Sequence, residues 1–307
     1  MAPKRIAALT FGSATLLISG IYIAITFQWR AMFDLLSTAR PAWVLLGGSA
    51  AILSYWMTRA FRWSYLMRGM QSRPGFLDLY LCSSVALSLS VYTPLQSGEA
   101  LKVELLRKHG IGARLPGYSA FLIERVADLY IVVAMGVIAL ALPFRTSWHG
   151  ALFVLLFLVL PIVAFFVLHR IRLGGRFGEF VAHLQGGIAS ASNLMVLLAS
   201  TFLGWIIVAL GWQACLLTLS IRLDFLELLG LVSIVTLASI LSFIPAGLGI
   251  ADASAAELMI RHGVDVPLAQ AGALILRGFS ILVIALGIVH LLLLRARDRS
   301  QRRQDAI

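Results

Sequence analysis

Long apolar runs constrain this chain more than any other feature of its sequence. They fall near residues 7–27, 42–67, 76–93, 116–142, 151–168, 196–219, 226–245 and 267–294. Each is close to the ~20 apolar residues that a helix needs to cross a bilayer, where it satisfies its own backbone hydrogen bonds. With 60% hydrophobic and 13% charged residues, the chain has too much apolar surface for a soluble domain. The runs predict an all-α, polytopic integral membrane protein: a single transmembrane domain over residues 1–307 with about eight long transmembrane helices.

Basic residues are concentrated in the short segments between the runs, and the formal net charge is +11. This distribution is typical of cytoplasmic loops and argues against nucleic acid as a partner. It predicts a multi-pass protein of the bacterial inner membrane with both termini in the cytoplasm. The first run is compatible with a signal peptide, but its length favours a retained helix. The histidines show no metal-ligand spacing and no phosphate-binding loop motif is present, so we expect no metal and no cofactor.

Two short elements interrupt the pattern of long runs: PLQSGEALKVELLRKHG from residue 94 and PAGLGIADASAAELMIRHG from residue 245. Each opens with proline and glycine, which disrupt helices, and continues as a short helix near 98–109 or 250–261. Backbone groups released at a break cannot face lipid, so we expect the breaks to be buried or to line a polar cavity. A helix that starts there directs its N-terminal amides into the cavity, which suits a phosphate or a carboxylate. The predicted helix breaks are Pro94, Gly98, Pro245, Gly247 and Gly249.

These elements lie within two similar stretches, repeat 1 (about 76–142) and repeat 2 (about 226–294). Matching residues are 151 to 153 positions apart: Pro94 and Pro245, Gly98 and Gly249, His109 and His262, and Arg125 and Arg277. If each short element carries the chain back across the membrane, most basic clusters face the cytoplasm and the repeats have opposite orientations. Inverted repeats with broken helices form the central site of many secondary transporters. Chance similarity between two apolar stretches is the alternative.

Between the fifth and sixth runs, apolar residues recur at helical spacing over about 170–190. They are Phe177, Phe180, Val181, Leu184 and Ile188. The pattern predicts an amphipathic interfacial helix that lies on the membrane surface. A plain linker is also compatible with it.

Charged residues inside the apolar runs are the first candidate functional residues, because a charge at mid-membrane is expensive and is usually paired or functional. Arg125 and Arg277 each lie roughly 15 Å into a long helix, counted from Pro116 and Pro267 at ~1.5 Å per residue. Two interpretations are open for Arg125: a structural pair with Asp128, three residues further along its helix, or binding of an anion together with Arg277. Arg277 has no acid within one turn of its own helix.

The remaining candidates flank the breaks. Glu99 and Asp252 fall in the first turn of each short helix, as caps or as groups that couple transport to a proton or a cation. Lys102 lies one turn after Glu99 and is placed to neutralise it. Arg59 and Arg62 end the second run, as interfacial anchors or as contacts to a headgroup phosphate. The candidate substrate-binding residues are Arg125, Arg277, Lys102, Arg59 and Arg62, and the candidate coupling or structural acids are Glu99, Glu124, Asp128 and Asp252.

In their order along the chain, these motifs resemble the transmembrane region of lysylphosphatidylglycerol synthases, a family of flippase-like integral membrane proteins. The matching residues are Arg59, Arg62 and Trp63; Pro94, Gly98, Glu99 and Lys102; Glu124, Arg125 and Asp128; and Pro245, Gly247, Gly249 and Asp252, with Arg277 downstream. Gln96 stands where the family usually has arginine, Ala246 where it has glycine, and Asp252 where it has glutamate. The resemblance implies a stand-alone translocator without the soluble aminoacyl-transferase domain of the full synthases.

Repeats, breaks and resemblance together predict a lipid flippase rather than an enzyme. The expected partner is a membrane lipid or a lipid-linked substrate, with a homo-oligomer or a partner synthase or glycosyltransferase as a further possibility. Two alternatives remain: a transporter of small soluble anions, and a membrane subunit or enzyme of a lipid-linked glycosylation system. An enzyme would need a nucleophile or a metal-binding acid pair at a membrane face, and the sequence shows no Asp-x-Asp motif.

Overall fold

The computed structural model describes residue 17 and residues 20–67, 75–108, 114–141, 148–172 and 174–304. This part of the chain is helical and contains no β-strand. The helices are α1 (20–26), α2 (Trp29–Ser37), α3 (Ser49–Leu66), α4 (Phe76–Ser90), α5 (Leu101–Lys108), α6 (Arg114–Ala141), α7 (Trp148–Arg170), α8 (Gly175–Gly187), α9 (Ala191–Leu216), α10 (Phe225–Leu241), α11 (Ile250–Arg261) and α12 (Val266–Gln304). A π-helical turn (Trp43–Gly48) precedes α3, and 3₁₀ segments occupy Pro94–Ala100, Leu217–Leu219 and Pro245–Gly247.

Apart from α2, which the sequence did not predict, the helices follow the predicted order in the described residues. The second short element, predicted at 250–261, is α11 with the same bounds. The first consists of the 3₁₀ segment Pro94–Ala100 followed by α5. The segment predicted as amphipathic contains α8. Most of the first run, near 7–27, and residues 143–147 of the loop predicted at 143–149 lie outside the described residues, whereas residues 148 and 149 belong to α7.

Two described helical stretches are long and apolar enough to cross a membrane by length and composition: Ala191–Leu219 and Val266–Ser300. Shorter apolar helices cover Phe76–Ser90, Val159–Arg170 and Phe225–Leu241. The larger number of spans expected from the apolar runs stays a prediction.

Helix α6 shows how such a chain distributes polarity. It exposes Leu122, Val126 and Leu129, while Glu124 and Asp128 on its other side are buried. A helix of a soluble protein does the reverse, with apolar residues inside and charges in water. The arrangement suits a helix whose outer face meets lipid.

One compact unit, called unit 1 below, comprises residues 1–52, 89–98 and 208–285. The backbone amide of Ala246 donates to the carbonyl of Val91 (3.0 Å), so the chain segments that follow α10 and α4 touch in this unit. Gln270 bridges the interruption between α1 and α2, accepting from the amide of Gln28 (2.7 Å) and donating to the carbonyl of Thr26 (3.1 Å). These bonds satisfy backbone groups that the helix breaks release.

The other unit, unit 2, comprises residues 53–88, 99–207 and 286–307. Its apolar core is built around Trp63, Leu79, Cys82 and Leu106. Helix α8 packs against α6, and Gly187 approaches Ile123 so closely that an added Cβ would lie 2.6 Å from its Cδ1. The unit therefore holds α6 between the segment that carries α5 and the amphipathic helix.

Candidate functional site

Both helix breaks contain backbone in the left-handed region, which favours glycine. Gln96 (φ 54°) and Gly247 (φ 58°) are 151 positions apart and share this conformation. Ala246 (φ 57°) and Gly249 (φ 83°) extend it in repeat 2. A Cβ added at Gly247 would lie 2.5 Å from the hydroxyl of Ser239. The two breaks therefore share a left-handed turn at an equivalent position.

In unit 2, four elements direct charged side chains at one another. Helix α3 supplies Arg59 and Arg62, one turn apart, and the end of the 3₁₀ segment supplies Glu99. The first turn of α5 supplies Lys102. Helix α6 supplies Glu124, Arg125 and Asp128. Glu124 and Asp128 are four positions apart, which puts both acids on one face of the helix.

Six of these side chains form a closed ring in which cations and carboxylates alternate; we call it the charge ring. In order, its members are Glu99, Arg59, Asp128, Arg62, Glu124 and Lys102, and Lys102 returns to Glu99. Arg62 contacts Glu124 at 2.8 Å and Asp128 at 2.9 Å, and Lys102 contacts Glu99 at 2.7 Å. Every cation of the ring thus contacts two carboxylates, and every carboxylate contacts two cations.

The ring is deeply buried, and each of its charged groups has partners, although Nε of Arg59 has no hydrogen-bond partner among the described residues. The side chains of Arg59, Arg62 and Lys102 are 3%, 2% and 2% exposed. Arg62 also donates to the hydroxyl of Thr201 on α9 (2.5 Å), and the ammonium of Lys102 lies 4.0 Å from the centroid of the Trp63 ring. Buried charges are tolerated when partners and hydrogen bonds offset the loss of water. The ring therefore ties α3, α5 and α6 together.

This burial corrects the interpretation of Arg59 and Arg62 as anchors at the membrane interface. An anchor keeps its guanidinium in the polar headgroup region, whereas both of these guanidinium groups lie inside unit 2 against carboxylates. The sequence placed them in a basic cluster at a helix end. The acids that contact them are distant in the sequence: Glu124 and Asp128 on α6, more than 60 residues away, and Glu99, 40 residues from Arg59.

Arg125 lies outside the ring and attaches to it. Its guanidinium forms an ion pair with the second carboxylate oxygen of Glu99 and lies 5.6 Å from the ring centroid of Phe121. Asp128, one of the two partners considered for Arg125, binds the two arginines of α3 instead. The side chain of Arg125 is 20% exposed. With it, the seven side chains comprise four cations and three carboxylates, an excess of one positive charge.

In unit 1, Arg277 of α12 is held by Asp252 of α11 through two parallel contacts, Nε to Oδ1 (3.0 Å) and Nη2 to Oδ2 (2.7 Å). Its Nη1 donates to the carbonyl of Ala246 in the break (2.8 Å). Asp252 also accepts from the amide of Gly249 (3.1 Å), so it is both a helix cap and an ion-pair partner. The acid that α12 lacks near Arg277 comes from the short helix.

The two arginines thus have equivalent partners. Glu99 and Asp252 are 153 positions apart, Arg125 and Arg277 are 152 apart, and each acid binds the arginine of its own repeat. Both arginines retain some exposure, 20% for Arg125 and 16% for Arg277. Convergence of Arg125 and Arg277 on one cavity stays a prediction.

Sequence reasoning missed a second polar cluster in unit 2. The hydroxyl of Tyr80 on α4 lies 3.0 Å from Nε2 of His290 on α12, and the imidazole packs edge-on against Trp56. A lone histidine in an apolar helix carried no signal of this pairing. No group of three or more His, Cys, Asp or Glu side chains able to hold a metal occurs among the described residues.

Comparison with known proteins gives one match. A family model described as "Lysylphosphatidylglycerol synthase TM region" matches residues 12–287, most of the chain. A search among curated proteins found no match.

Proposed function

We propose that this chain translocates a lipid between leaflets. It belongs to the family of lysylphosphatidylglycerol synthase transmembrane regions and is a membrane protein of that family. The cargo is a phospholipid or a lipid-linked headgroup, and the membrane is the bacterial inner membrane. The proposed activity is transport, with no catalytic residue. The family match supports a location in the membrane. The transport role is our inference from the charged residues beside the two helix breaks.

The observation that carries the proposal is the matched pair of acid and arginine beside each helix break. Many secondary transporters build a site that opens to both sides of the membrane from equivalent groups in two repeats of opposite orientation. Glu99 with Arg125 and Asp252 with Arg277 are equivalent groups of this kind. Because both arginines are partly exposed, they are suited to contact headgroup oxygens.

The charge ring has a different role in this proposal. Arg59, Arg62 and Lys102 are at most 3% exposed and are each bound by two carboxylates. A lipid phosphate would have to displace those carboxylates to reach them. The sequence predicted that these three residues bind substrate. We propose instead that they position Glu99 and α5 beside Arg125.

The test uses the intact protein in lipid vesicles that contain fluorescent phosphatidylglycerol. The label in the outer leaflet is quenched by an impermeant reductant, and movement between leaflets appears as continued loss of fluorescence. Wild-type protein should accelerate that loss. The double variant Arg125→Gln with Arg277→Gln should abolish it, whereas Arg261→Gln, at a side chain 72% exposed on the surface, should leave it unchanged.

A parallel arm loads the vesicles with glycerol 3-phosphate, which offers the same phosphate chemistry without acyl chains. Release of glycerol 3-phosphate without movement of any lipid would replace the proposal with the soluble-anion alternative. Movement of lipid without such release supports it.

The topology that the proposal requires has its own test. Both termini are taken as cytoplasmic and the 143–149 loop as periplasmic, from the distribution of basic residues. A single cysteine introduced at residue 147 should react with an impermeant reagent added to whole cells. Labelling at residues 110–114 instead would contradict the opposite orientation of the two repeats.

A further inference from the structure

We propose that helix α2 (Trp29–Ser37) lies on the membrane surface, with the rings of Trp29 and Phe33 inserted among the lipids and its polar edge in water. The partner is the lipid surface itself, where the acyl chains meet the headgroups. This inference uses the membrane location of the family and does not depend on lipid transport.

Both ends of the segment that contains α2 are attached to long apolar helices of unit 1. At its start, the amide of Gln28 donates to the side chain of Gln270 (2.7 Å), in the second turn of α12. At its end, the amide of Arg40 donates to the carbonyl of Thr218 (3.2 Å), in the 3₁₀ segment that follows α9. Gln270 lies near the start of the stretch Val266–Ser300 and Thr218 near the end of Ala191–Leu219, the two described stretches long and apolar enough to cross a membrane.

These two helix ends are neighbours. A Cβ added at Gly272 of α12 would lie 2.9 Å from Cδ1 of Ile221 and 3.2 Å from Cδ2 of Leu216, the last residue of α9. The two attachments are therefore at the same end of two adjacent spans, so the segment between them does not cross the membrane. Helix α2, roughly 14 Å long at ~1.5 Å per residue, runs along the membrane surface, which is the periplasmic surface in the proposed topology.

The protein covers only part of the apolar side of α2. At about 3.6 residues per turn, one arc of the helix is apolar and the other is polar. The apolar arc consists, in order, of Leu35, Met32, Leu36, Trp29 and Phe33, and the polar arc of Ser37, Arg30 and Asp34. Met32 is buried, whereas Trp29 and Phe33, at the edge next to the polar arc, are exposed and stack with ring centroids 6.0 Å apart. Apolar rings beside a polar edge are typical of a helix that lies in the membrane interface.

The two rings also continue an apolar stripe of the segment that precedes α2. Three exposed apolar residues recur there at a spacing of four: Leu17, Ile21 and Ile25. Trp29 and Phe33 follow at the same spacing. In a membrane protein such a stripe meets lipid, and tryptophan concentrates where the chains meet the headgroups. The indole N–H of Trp29 donates to the carbonyl of Ala24 (3.2 Å), so the polar atom of this ring does not require water.

The attachment to Gln270 also relates the membrane surface to the proposed transport site. Arg277 follows Gln270 by seven positions on α12, which is about two turns and puts both residues on one side of that helix. The surface that α2 marks is therefore about 10 Å from Arg277 along the helix axis. This depth is consistent with an arginine inside the membrane.

The experiment compares two neighbouring positions on different edges of α2. Phe33→Cys and Asp34→Cys each carry a nitroxide spin label in the intact protein, reconstituted into vesicles of phosphatidylethanolamine and phosphatidylglycerol. The native residues Cys82 and Cys215 are buried, and wild-type protein taken through the same labelling gives the background. Collisions of the label with oxygen, which dissolves in lipid, and with a water-soluble nickel complex on both sides of the vesicles report its surroundings. The ratio of oxygen to nickel collisions should be several-fold higher at position 33 than at position 34.

Trp29→Cys and Arg30→Cys give the same comparison one turn earlier, and they decide the question if Phe33→Cys does not fold. High and equal access of the nickel complex to both positions of a pair would show that water surrounds α2 and would overturn the proposal. A label at position 33 shielded from oxygen and nickel alike would show that protein, such as a second copy of this chain, covers the rings, and would also overturn it. Lipid movement in the vesicle assay is measured separately, so failure of this inference leaves the flippase proposal standing.

Discussion

Repeat 1 and repeat 2 each contain an ion pair between an acid and an arginine at matching positions, but the two pairs have different charged neighbours. In each, an acid just after a helix break binds an arginine deep in the following long helix: Glu99 with Arg125, and Asp252 with Arg277. Glu99 also holds Arg59 and Lys102, whereas Asp252 caps its own helix at Gly249. The ion pair between this acid and this arginine occurs in both repeats. It is therefore the element that suits a transport site open in turn to each side of the membrane.

Three members of the charge ring that lie in repeat 1 have uncharged counterparts in repeat 2. At separations of 152 to 153 residues, Lys102, Glu124 and Asp128 correspond to Ala255, Leu276 and Ser280. Ala255 and Leu276 are buried, and they fill with apolar atoms the places where the ring has charges. A buried ion network is often replaceable by apolar packing without loss of stability. Repeat 2 shows such a solution in the same chain.

The largest effect should come from opening the ring. Glu124→Leu copies the residue of repeat 2 and leaves Arg62 and Lys102 each short of one carboxylate. We expect a loss of about 3–5 kcal/mol of unfolding free energy, seen as a thermal midpoint about 10 °C lower in detergent-solubilised protein. The double variant Glu124→Leu with Lys102→Leu removes opposite charges together and should recover most of the loss. A double variant no more stable than the single one would mean that the ring is not a coupled unit.

The Arg277–Asp252 pair should give a smaller loss of stability and a full loss of transport. Arg277→Leu leaves Asp252 with its cap at Gly249, so we expect about 1–3 kcal/mol. Adding Asp252→Asn keeps an acceptor for the Gly249 amide and removes the unpaired charge, and should restore thermal stability. The double variant should still move no lipid in the vesicle assay. Wild-type transport by this stable variant would make the pair structural and break its likeness to Glu99 and Arg125.

Exchanging arginine for lysine should separate the two repeats further. Arg277→Lys loses the parallel contacts to Asp252 and the bond to the carbonyl of Ala246, at a cost of about 1–2 kcal/mol. Arg125→Lys keeps a point charge beside Glu99 and should cost less than Arg277→Lys, which also loses the bond to a backbone carbonyl. The ratio of the two shifts in thermal midpoint is the measurement. Equal shifts would show that Arg125 is held as tightly as Arg277.

Sequence reasoning located the helices and both breaks because hydropathy, proline and glycine act locally. It did not predict α2, because residues 28–40 fall between two apolar runs and are too few to span a membrane, although Met32 in that helix is buried. For Arg125 it considered a pair with Asp128, three residues further along the same helix, or binding of an anion. It did not find the ion pair with Glu99, which reaches Arg125 from the 3₁₀ segment before α5, because only tertiary packing determines that contact.

The ring was beyond prediction for the same physical reason. The sequence presented each of its six members as a separate candidate. Arg59 and Arg62 were possible anchors at the end of α3, Glu99 was a possible cap at the first break with Lys102 beside it, and Glu124 and Asp128 were charges within α6. Their closure into alternating contacts depends on three helices meeting at one depth. The repeat, by contrast, predicted that Arg125 and Arg277 are equivalent, and their acid partners agree with it.

The smallest effect concerns the backbone of the breaks. Ala246 has φ 57°, a left-handed conformation that costs a residue with a Cβ about 1 kcal/mol, so Ala246→Gly should stabilise the protein by about that amount. Gln96→Gly, at φ 54° in repeat 1, should do the same if the two breaks are equivalent. Ala253→Gly within α11 is the control, since a helical glycine costs about 0.5–1 kcal/mol. Thermal midpoints in detergent should rise for the first two variants and fall for the third. A rise at Ala246 with a fall at Gln96 would show that the left-handed turn is strained in repeat 2 but is held by other contacts in repeat 1.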